Sequence, residues 1–212
     1  IRTGKPPRIA YLAPGHHKLS QAGLKRTLRN KNLKEHEVLE DVKEELGSIS
    51  QLPENVRSIF DYAFSEMLNN AIEHSESEQI KIDVGREKDS LLFVVEDFGI
   101  GVFKNIMEKR GLPSPLEAIQ DLLKGKTTTQ PQAHSGEGIF FTSKVGDEFV
   151  LDSYGYQFVA NNIIKDIFIK KVKGQKQGTK VTFRININDK HHLNDIFKKY
   201  TNIGKDSDYG FD

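Results

Sequence analysis

Glu66 and Asn70 carry the side chains whose types and spacing are best suited to chemistry in this sequence. They belong to the run S-E-M-L-N-N-A-I-E-H and stand four residues apart, so an α-helix would place both on one face. An amide oxygen can ligate Mg²⁺, and a carboxylate beside it can orient a water or a hydroxyl. The pair indicates a nucleotide site, and the alternative is a surface helix that carries two polar residues.

Three further signals follow along the chain, and each contains glycine. They are Asp97-x-Gly99-x-Gly101, Gly136-x-Gly138 and Gly178-Thr179. Each is common alone in turns and loops. Here the first follows a predicted strand, the second stands at a predicted helix start and the third opens a strand. The polar helix, the two glycine loops and the last strand can therefore assemble one site.

Composition limits the classes of function. The chain has 212 residues, 36% of them hydrophobic, which suits one main domain with a short appendage. The net charge of +1 provides no overall attraction to nucleic acid or an anionic membrane. The absence of cysteine excludes disulfides and Cys-ligated zinc and fits a reducing compartment. No apolar run approaches the ~18 residues of a membrane span, so we expect a cytoplasmic protein.

Hydrophobic periodicity predicts the first half of the fold. Leu, Lys and Glu dominate residues 19–46 at close to helical spacing, so we expect one or two amphipathic helices there. Pro53 and Glu54 should begin the helix that ends near His74. Alternating apolar residues then predict two strands, at residues 80–84 and 91–95, joined by a turn at residues 87–89.

The second half should begin with a helix whose start has a Ser N-cap at Ser114, Pro115 and Glu117. Residues 126–136 have no period, and we expect a mobile loop. A helix should then start at Gly136-Glu-Gly138 and run to Val145. The remaining predictions are strands near 149–152, 157–160, 163–172 and 179–185, and a short helix at 193–200.

In their order, the four signals resemble those of the Bergerat-fold ATPases, the superfamily of DNA gyrase, heat-shock chaperone, histidine kinase and mismatch-repair ATP-binding domains. The resemblance covers about residues 55–185. It implies an α/β fold, an α+β two-layer sandwich whose mixed, mostly antiparallel sheet is covered by helices on one face. Here an N-terminal helical extension would precede it. ATP would lie between helices and sheet under a flexible lid.

The resemblance also assigns roles to the residues of the base and metal sites. Asn70 would ligate Mg²⁺, and Asp97 would accept a hydrogen bond from the adenine amino group. Guanine has a carbonyl at that position, so a buried carboxylate there selects adenine. Gly99 and Gly101 would let the backbone pass close to the base, and Thr179 would bond near it.

The phosphates would meet the glycines of the second loop and the lid. Gly136 and Gly138 stand before a predicted helix, where unobstructed N–H groups and the helix dipole favour an anion. Lys126 and Thr127, with Lys124 beside them, could reach a γ-phosphate, and a solvated loop is the alternative.

Glu66 bears on the type of reaction. Histidine kinases usually have Asn at the matching position, whereas hydrolysing members and the anti-sigma-factor serine kinases have a Glu that acts as general base. The chain is therefore expected to activate a water or a hydroxyl. The alternative is that Glu66 only holds a Mg²⁺-bound water.

The histidines test the kinase alternative. His36-Glu37 faintly resembles a phospho-acceptor box, but only 34 residues separate His36 from Asn70, too few for a dimerisation hairpin. His36 is interpreted as an exposed helix residue, and His16-His17 as loop because no third metal ligand is evident. His74 resembles the serine-kinase-like subset, and its alternative role is to pair with Glu73 or a phosphate.

A finer resemblance is to bacterial regulators that join a winged-helix DNA-binding domain, this ATPase and a STAS-like domain. It implies a winged-helix remnant at 1–14, a helical linker at 15–52, the ATP-binding domain at 53–186 and a tail at 187–212 that leads to a missing domain. The chain begins at Ile1 rather than Met, which also suggests a fragment.

The partners expected are ATP with Mg²⁺ and an unidentified protein. DNA would be contacted only through a missing domain, no membrane contact is expected, and a dimer is possible. The alternatives are a serine or histidine protein kinase and a non-catalytic, nucleotide-sensing DNA-binding regulator.

Overall fold

A computed structural model describes residues 23–124, 134–174 and 177–202. Seven strands and six helices are formed in this part of the chain. They are β1 (Leu24–Arg29), α1 (Glu35–Glu45), α2 (Glu54–His74), β2 (Gln79–Glu87), β3 (Ser90–Asp97), α3 (Val102–Arg110), α4 (Pro115–Leu123), α5 (His134–Val145), β4 (Glu148–Ser153), β5 (Tyr156–Asn161), β6 (Asp166–Lys171), β7 (Thr179–Asn186) and α6 (Leu193–Asn202). Among the helices in these ranges, none is both long and apolar enough to cross a membrane.

The strands form one sheet in the order β1-β2-β3-β7-β4-β5-β6. All six pairings between these strands are antiparallel. Side chains alternate between the two faces of a strand, and Phe93 of β3 and Phe183 of β7 stack with ring centroids 5.1 Å apart on the face that the helices cover. The predicted α+β sandwich with helices on one face is confirmed.

Helix α2 is the central helix of the covering layer. Its buried residues recur at helical spacing along the whole element, from Val56 to Ala71. Phe60 and Phe64 meet the ring of Phe93 edge-on at 5.8 and 5.4 Å. Because this apolar stripe fixes the rotation of α2 on the sheet, it also fixes the direction of the polar residues on its other face.

The helix predicted over residues 19–46 is wrong in its first described part. Residues Leu24–Arg29 are a strand that pairs antiparallel with β2, from Leu24 opposite Val84 to Arg29 opposite Gln79. Only the sheet edge supplies those partners, and the pairing overrides the helix propensity of Leu, Lys and Arg. The second part of the prediction is confirmed by α1, whose Val38 and Val42 are buried one turn apart.

The other predicted elements are present. The hydroxyl of Ser114 accepts a hydrogen bond from the Glu117 N–H at 3.3 Å and so caps α4 as expected. α5 begins at His134, so the last three residues of the predicted loop are helical; residues 125–133 lie outside the described ranges. Strand β6 begins only at Asp166, after a turn.

The proposed division of the chain into four segments stays a prediction. Its two ends, residues 1–14 and 203–212, lie outside the described residues.

Candidate functional site

A cleft lies between the helical layer and the sheet. Asn70 and His74 of α2, Asp97 at the end of β3 and Thr179 at the start of β7 line it together. Apolar side chains form much of the remaining wall, including those of Val95, Leu151 and Ile139. The Asp97 carboxylate and the Asn70 amide, 27 residues apart in the chain, thus open onto one cavity.

Asp97 is buried, with 5% of its surface exposed. Its Oδ1 accepts a hydrogen bond from the Gly99 N–H at 3.0 Å, and the Thr179 N–H and hydroxyl also bond to the carboxylate. Burial raises the pKa of Asp97, and the hydrogen bonds from Gly99 and Thr179 oppose that rise. The result is a desolvated, oriented hydrogen-bond acceptor at the edge of the cleft.

Thr179 connects β7 to the start of α3. Its Oγ1 accepts a hydrogen bond from the Val102 N–H at 2.9 Å while its hydroxyl proton bonds to Asp97. The hydroxyl therefore orients the carboxylate and satisfies one of the free N–H groups at the start of α3. Its predicted bond near adenine stays a prediction.

Gly99, Gly101 and Gly178 allow backbone segments to pack closely beneath Asp97. A Cβ on Gly99 would lie 1.7 Å from the Ser75 carbonyl oxygen, and one on Gly178 would lie 2.1 Å from that of Asp97. Gly101 and Gly178 also have φ values of +84° and +79°, which side chains disfavour. These glycines bring backbone against backbone, and the predicted contacts of Gly99 and Gly101 with a base stay predictions.

Glu66 of α2 and Gly138 of α5 meet beside the cleft. A Cβ on Gly138 would lie 2.0 Å from Glu66 Oε2, so the carboxylate lies directly against the first turns of α5. Glu66 is not among the described residues that line the cleft, whereas Ile139, the neighbour of Gly138, is. The backbone of Gly136 lies in the same first turn of α5, and Lys126 and Thr127 lie outside the described residues.

An aromatic cluster packs beside the contact of Glu66 with Gly138. The ring of Phe197 in α6 meets those of Tyr62 in α2 and Phe141 in α5 edge-on, at 5.1 and 4.8 Å. Burial, and then the charges of Glu66 and Glu137, raise the pKa of Tyr62. Tyr62 precedes Glu66 by one helical turn, so the cluster fixes α2 and α5 where Glu66 meets Gly138.

Three buried polar residues of the site were missed by the sequence reasoning. Asn105 of α3, 8% exposed, donates from Nδ2 to the His74 carbonyl at 2.8 Å, and an Asn within the apolar spacing of V-F-K-N-I-M is the signal that could have revealed it. The Ser75 hydroxyl donates to the Ala71 carbonyl at the end of α2. The Ser153 hydroxyl donates to the Gly178 carbonyl at 3.0 Å; neither serine has a distinctive sequence signal.

Two predicted histidine environments are visible. His36 is on the exposed surface of α1, as expected, with Nδ1 3.8 Å from Glu35. His74 lines the cleft, and its Nε2 lies 3.9 Å from the Glu73 carboxylate.

Asn70 suits a metal that arrives together with a ligand. Its Nδ2 is buried without a hydrogen-bond partner in the described structure; this atom can only donate, so a metal would bind the amide through Oδ1. The described residues contain no group of three or more His, Cys, Asp or Glu that could hold a metal alone. One amide oxygen completed by phosphate oxygens and water is a common Mg²⁺ site, and the residues present fit it.

A two-layer sandwich whose cleft is lined by an oriented, buried carboxylate is the arrangement expected of an ATP-binding domain. The chain belongs to the family of histidine kinase-, DNA gyrase B- and HSP90-like ATPases, whose sequence model matches residues 55–189. The match runs from the start of α2 to just beyond β7, so β1, α1 and α6 lie outside it. A comparison with curated proteins finds no match to the chain.

Proposed function

We propose that the chain is the Mg²⁺-dependent ATP-binding domain of a bacterial signalling or regulatory protein. The observation that carries this proposal is that Asp97 and Asn70 line the same cleft. Adenine would lie at Asp97 and the phosphates would extend along α2 toward Glu66 and Gly138. Nucleotide state would then be converted into changed contacts with a partner.

The adenine role of Asp97 is supported by its burial and its hydrogen bonds. Gly99 and Thr179 hold the carboxylate in a fixed direction. Adenine has an amino group at the position where guanine has a carbonyl. The amino group can donate a hydrogen bond to the carboxylate, whereas a carbonyl cannot, and the buried carboxylate would then lack a partner that water could not replace. The site should therefore select ATP over GTP.

Asn70 is proposed as the protein ligand of the metal. Bound Mg²⁺ would supply positive charge that neutralises the phosphates. Asn70 itself would ligate the ion through its amide oxygen, and its buried Nδ2, which has no hydrogen-bond partner in the described structure, would donate to a phosphate oxygen.

Glu66 is proposed as the general base. Its carboxylate lies against Gly138, the fifth residue of α5, and it could accept the proton of an attacking water or hydroxyl. With water the result is ATP hydrolysis. With a protein hydroxyl or imidazole the result is phosphotransfer, and the chain would be a kinase domain.

Binding is tested by calorimetric titration of the full chain with ATP and with GTP, each with and without Mg²⁺. Wild type should bind ATP more tightly with Mg²⁺ and discriminate against GTP. Asp97→Ala should weaken ATP binding at least ~30-fold, since a buried hydrogen bond to a charged group is lost. Asp89→Ala, an exposed carboxylate in the turn between β2 and β3, is the matched control. Retained affinity in Asp97→Ala would refute the adenine assignment.

Turnover is tested with ATP labelled at the γ-phosphate. Glu66→Gln should bind ATP normally and lose release of labelled phosphate, and equal release by both proteins would exclude Glu66 as the base. Label that appears on a candidate partner protein rather than as free phosphate would favour the kinase alternative. Binding without either product would favour a non-catalytic regulator, whose DNA contacts footprinting of the full-length protein would reveal.

A further inference from the structure

An isoleucine surface lies at the edge of the sheet far from the cleft residues of α2. It comprises Ile163 and Ile164 in the turn before β6 and Ile167 and Ile169 in β6. These are four of the six large hydrophobic side chains that are exposed in the described structure, and Ile163 is 71% exposed. Isolated exposed apolar residues are ordinary, but a contiguous group marks an interaction site.

This surface continues the covered face of the sheet. Ile169 stands directly opposite Phe158, and Ile167 opposite Ala160. Both partners on β5 belong to the buried core, and Phe158 also lines a groove of about 210 Å³ with Leu122 and Phe140. Ile167 and Ile169 thus extend the apolar core beyond the last helix that covers it.

One edge of the β6 backbone is not paired with any described strand. The Val172 N–H donates to the Gly155 carbonyl at 2.9 Å, just beyond the end of β6. In an antiparallel pair every second residue forms backbone hydrogen bonds with the neighbouring strand. Counting back from Val172, the residues of β6 that bond to β5 are Asp166, Phe168 and Lys170. The N–H and C=O groups of the alternate residues point away from β5. Among the described strands β6 pairs with β5 alone.

Those outward groups belong to Ile167, Ile169 and Lys171. The Asp166 carboxylate accepts the Ile167 N–H at 2.8 Å, which leaves the Ile169 and Lys171 donors and three carbonyls for an added strand. An edge of this kind is the template on which extended peptides bind.

The surroundings of this edge are basic. Lys165, Lys170, Lys171 and Lys173 are exposed, and Asp166 is the one carboxylate in residues 163–173. The whole chain carries only +1, so the excess is local. Lysines on an edge strand discourage pairing with a second copy, since like charges would face each other, and they favour an acidic partner.

We propose that β6 is a docking strand for an acidic, extended segment of a partner protein. The segment would add antiparallel or parallel to the free edge, place apolar side chains on Ile167 and Ile169, and set carboxylates beside Lys171 and its neighbours. The exposed side chains of the isoleucine surface are aliphatic, so this surface provides neither the aromatic platform of single-stranded nucleic-acid sites nor the amphipathic helix of membrane surfaces. This proposal is independent of the role of the cleft.

The experiment selects phage-displayed random nonapeptides on the immobilised full chain and measures the enriched peptides by fluorescence anisotropy. Enriched sequences should be acidic, with apolar residues at alternate positions. Ile169→Pro removes the outward N–H but leaves every backbone hydrogen bond to β5. Ile169→Thr keeps this N–H and is the control. Peptide binding by Ile169→Pro should be at least ~10-fold weaker than binding by Ile169→Thr. Lys171→Glu should weaken binding similarly, and Lys190→Glu, an exposed lysine elsewhere, should not.

Ile169→Thr and Lys171→Glu keep the test decisive if Ile169→Pro fails to fold. No enrichment, enrichment without acidic residues, or equal binding by Ile169→Pro and Ile169→Thr would overturn the proposal. The proposal would also be overturned if analytical ultracentrifugation showed that the chain dimerises and that Lys171→Glu changes this dimerisation. If the chain instead binds phosphatidylserine vesicles or single-stranded DNA, and this binding depends on both Ile169 and Lys171, then that ligand rather than a peptide is the partner of this surface and the proposal is overturned.

Discussion

The candidate site has two ends, one at Asp97 and one at the contact of Glu66 with Gly138, and different kinds of atoms hold each in place. At the Asp97 end, added Cβ atoms on Gly99 and Gly178 would strike backbone carbonyls at 1.7 and 2.1 Å. At the Gly138 end, an added Cβ would strike a side-chain oxygen of Glu66 at 2.0 Å. Backbone cannot move without breaking the sheet, whereas a side chain can rotate. The first end is therefore fixed by the fold itself, and the second can adapt.

The largest effect is expected for Gly178→Ala, which tests the rigid end. Gly174 has a similar φ, +83°, and open space around its Cβ position, so Gly174→Ala is a control for backbone strain alone. That control should cost about 1 kcal/mol, and Gly178→Ala about 3 kcal/mol or more. Urea unfolding of both variants measures the difference. Equal costs would mean that the Asp97 end is not tightly packed.

Gly138→Ala tests the adaptable end. Alanine is the better helix former, and only the Glu66 side chain must move, so the free energy of unfolding should change by less than about 1 kcal/mol. Turnover should fall at least ~10-fold if Glu66 is the base as proposed, since its carboxylate would be displaced. Gly47→Ala, with open space around it, is the control. Any stability cost should vanish in a Glu66→Ala background, and its persistence there would contradict the contact.

The titration of Asp97 tests the Asp97 end alone, because a change of pH alters the charge of the carboxyl group and leaves the packing around it unchanged. Burial raises the pKa of its carboxyl above the ordinary value of 3.8. The folded state then favours the protonated form, so the stabilising contribution is complete below pH 3.8 and is lost as the pH rises through the raised pKa. With the proposed adenine role of Asp97, ATP affinity should rise over the same interval, because only the ionised carboxylate would keep its full capacity to accept a hydrogen bond from the amino group.

Urea unfolding and ATP titration of wild type and Asp97→Asn, compared at each pH, measure these opposite trends. The comparison cancels the contribution of Asp147, whose pKa burial also raises. Parallel curves for the two proteins would show that Asp97 does not titrate as a buried group.

The smallest effect is expected for Phe197→Leu, which removes the ring contacts with Tyr62 and Phe141 but keeps an apolar side chain. A cost of about 1 kcal/mol is expected. Amide hydrogen exchange should accelerate at residues 137–141 and stay unchanged at residues 97–101, since the brace holds only the Gly138 end. Equal acceleration at both ends would contradict the independence of the two ends.

Local patterns in the sequence were sufficient to predict α2, the β2–β3 hairpin and the cap of α4. Each of these depends on neighbours within a few residues, such as Ser114 and Glu117. The shared cleft of Asn70 and Asp97 followed from the order of the motifs and the resemblance rather than from any local pattern. Their roles in binding are still predictions.

The features that the sequence did not reveal depend on distant partners. Strand β1 exists because β2, more than 50 residues later, offers an edge to Leu24–Arg29. The partner of Asn105 is a carbonyl 31 residues away, and Glu66 meets Gly138 across 72 positions. Helix periodicity and residue propensity contain no information about such pairings.

Ile139 lines both the cleft and the smaller groove beside Leu122, Phe140 and Phe158. This side chain thus contacts both compartments. A hydrophobic compound that displaced Ile139 from the smaller groove would push it into the cleft. Compounds that close the cleft could therefore be sought that share no chemical feature with a nucleotide.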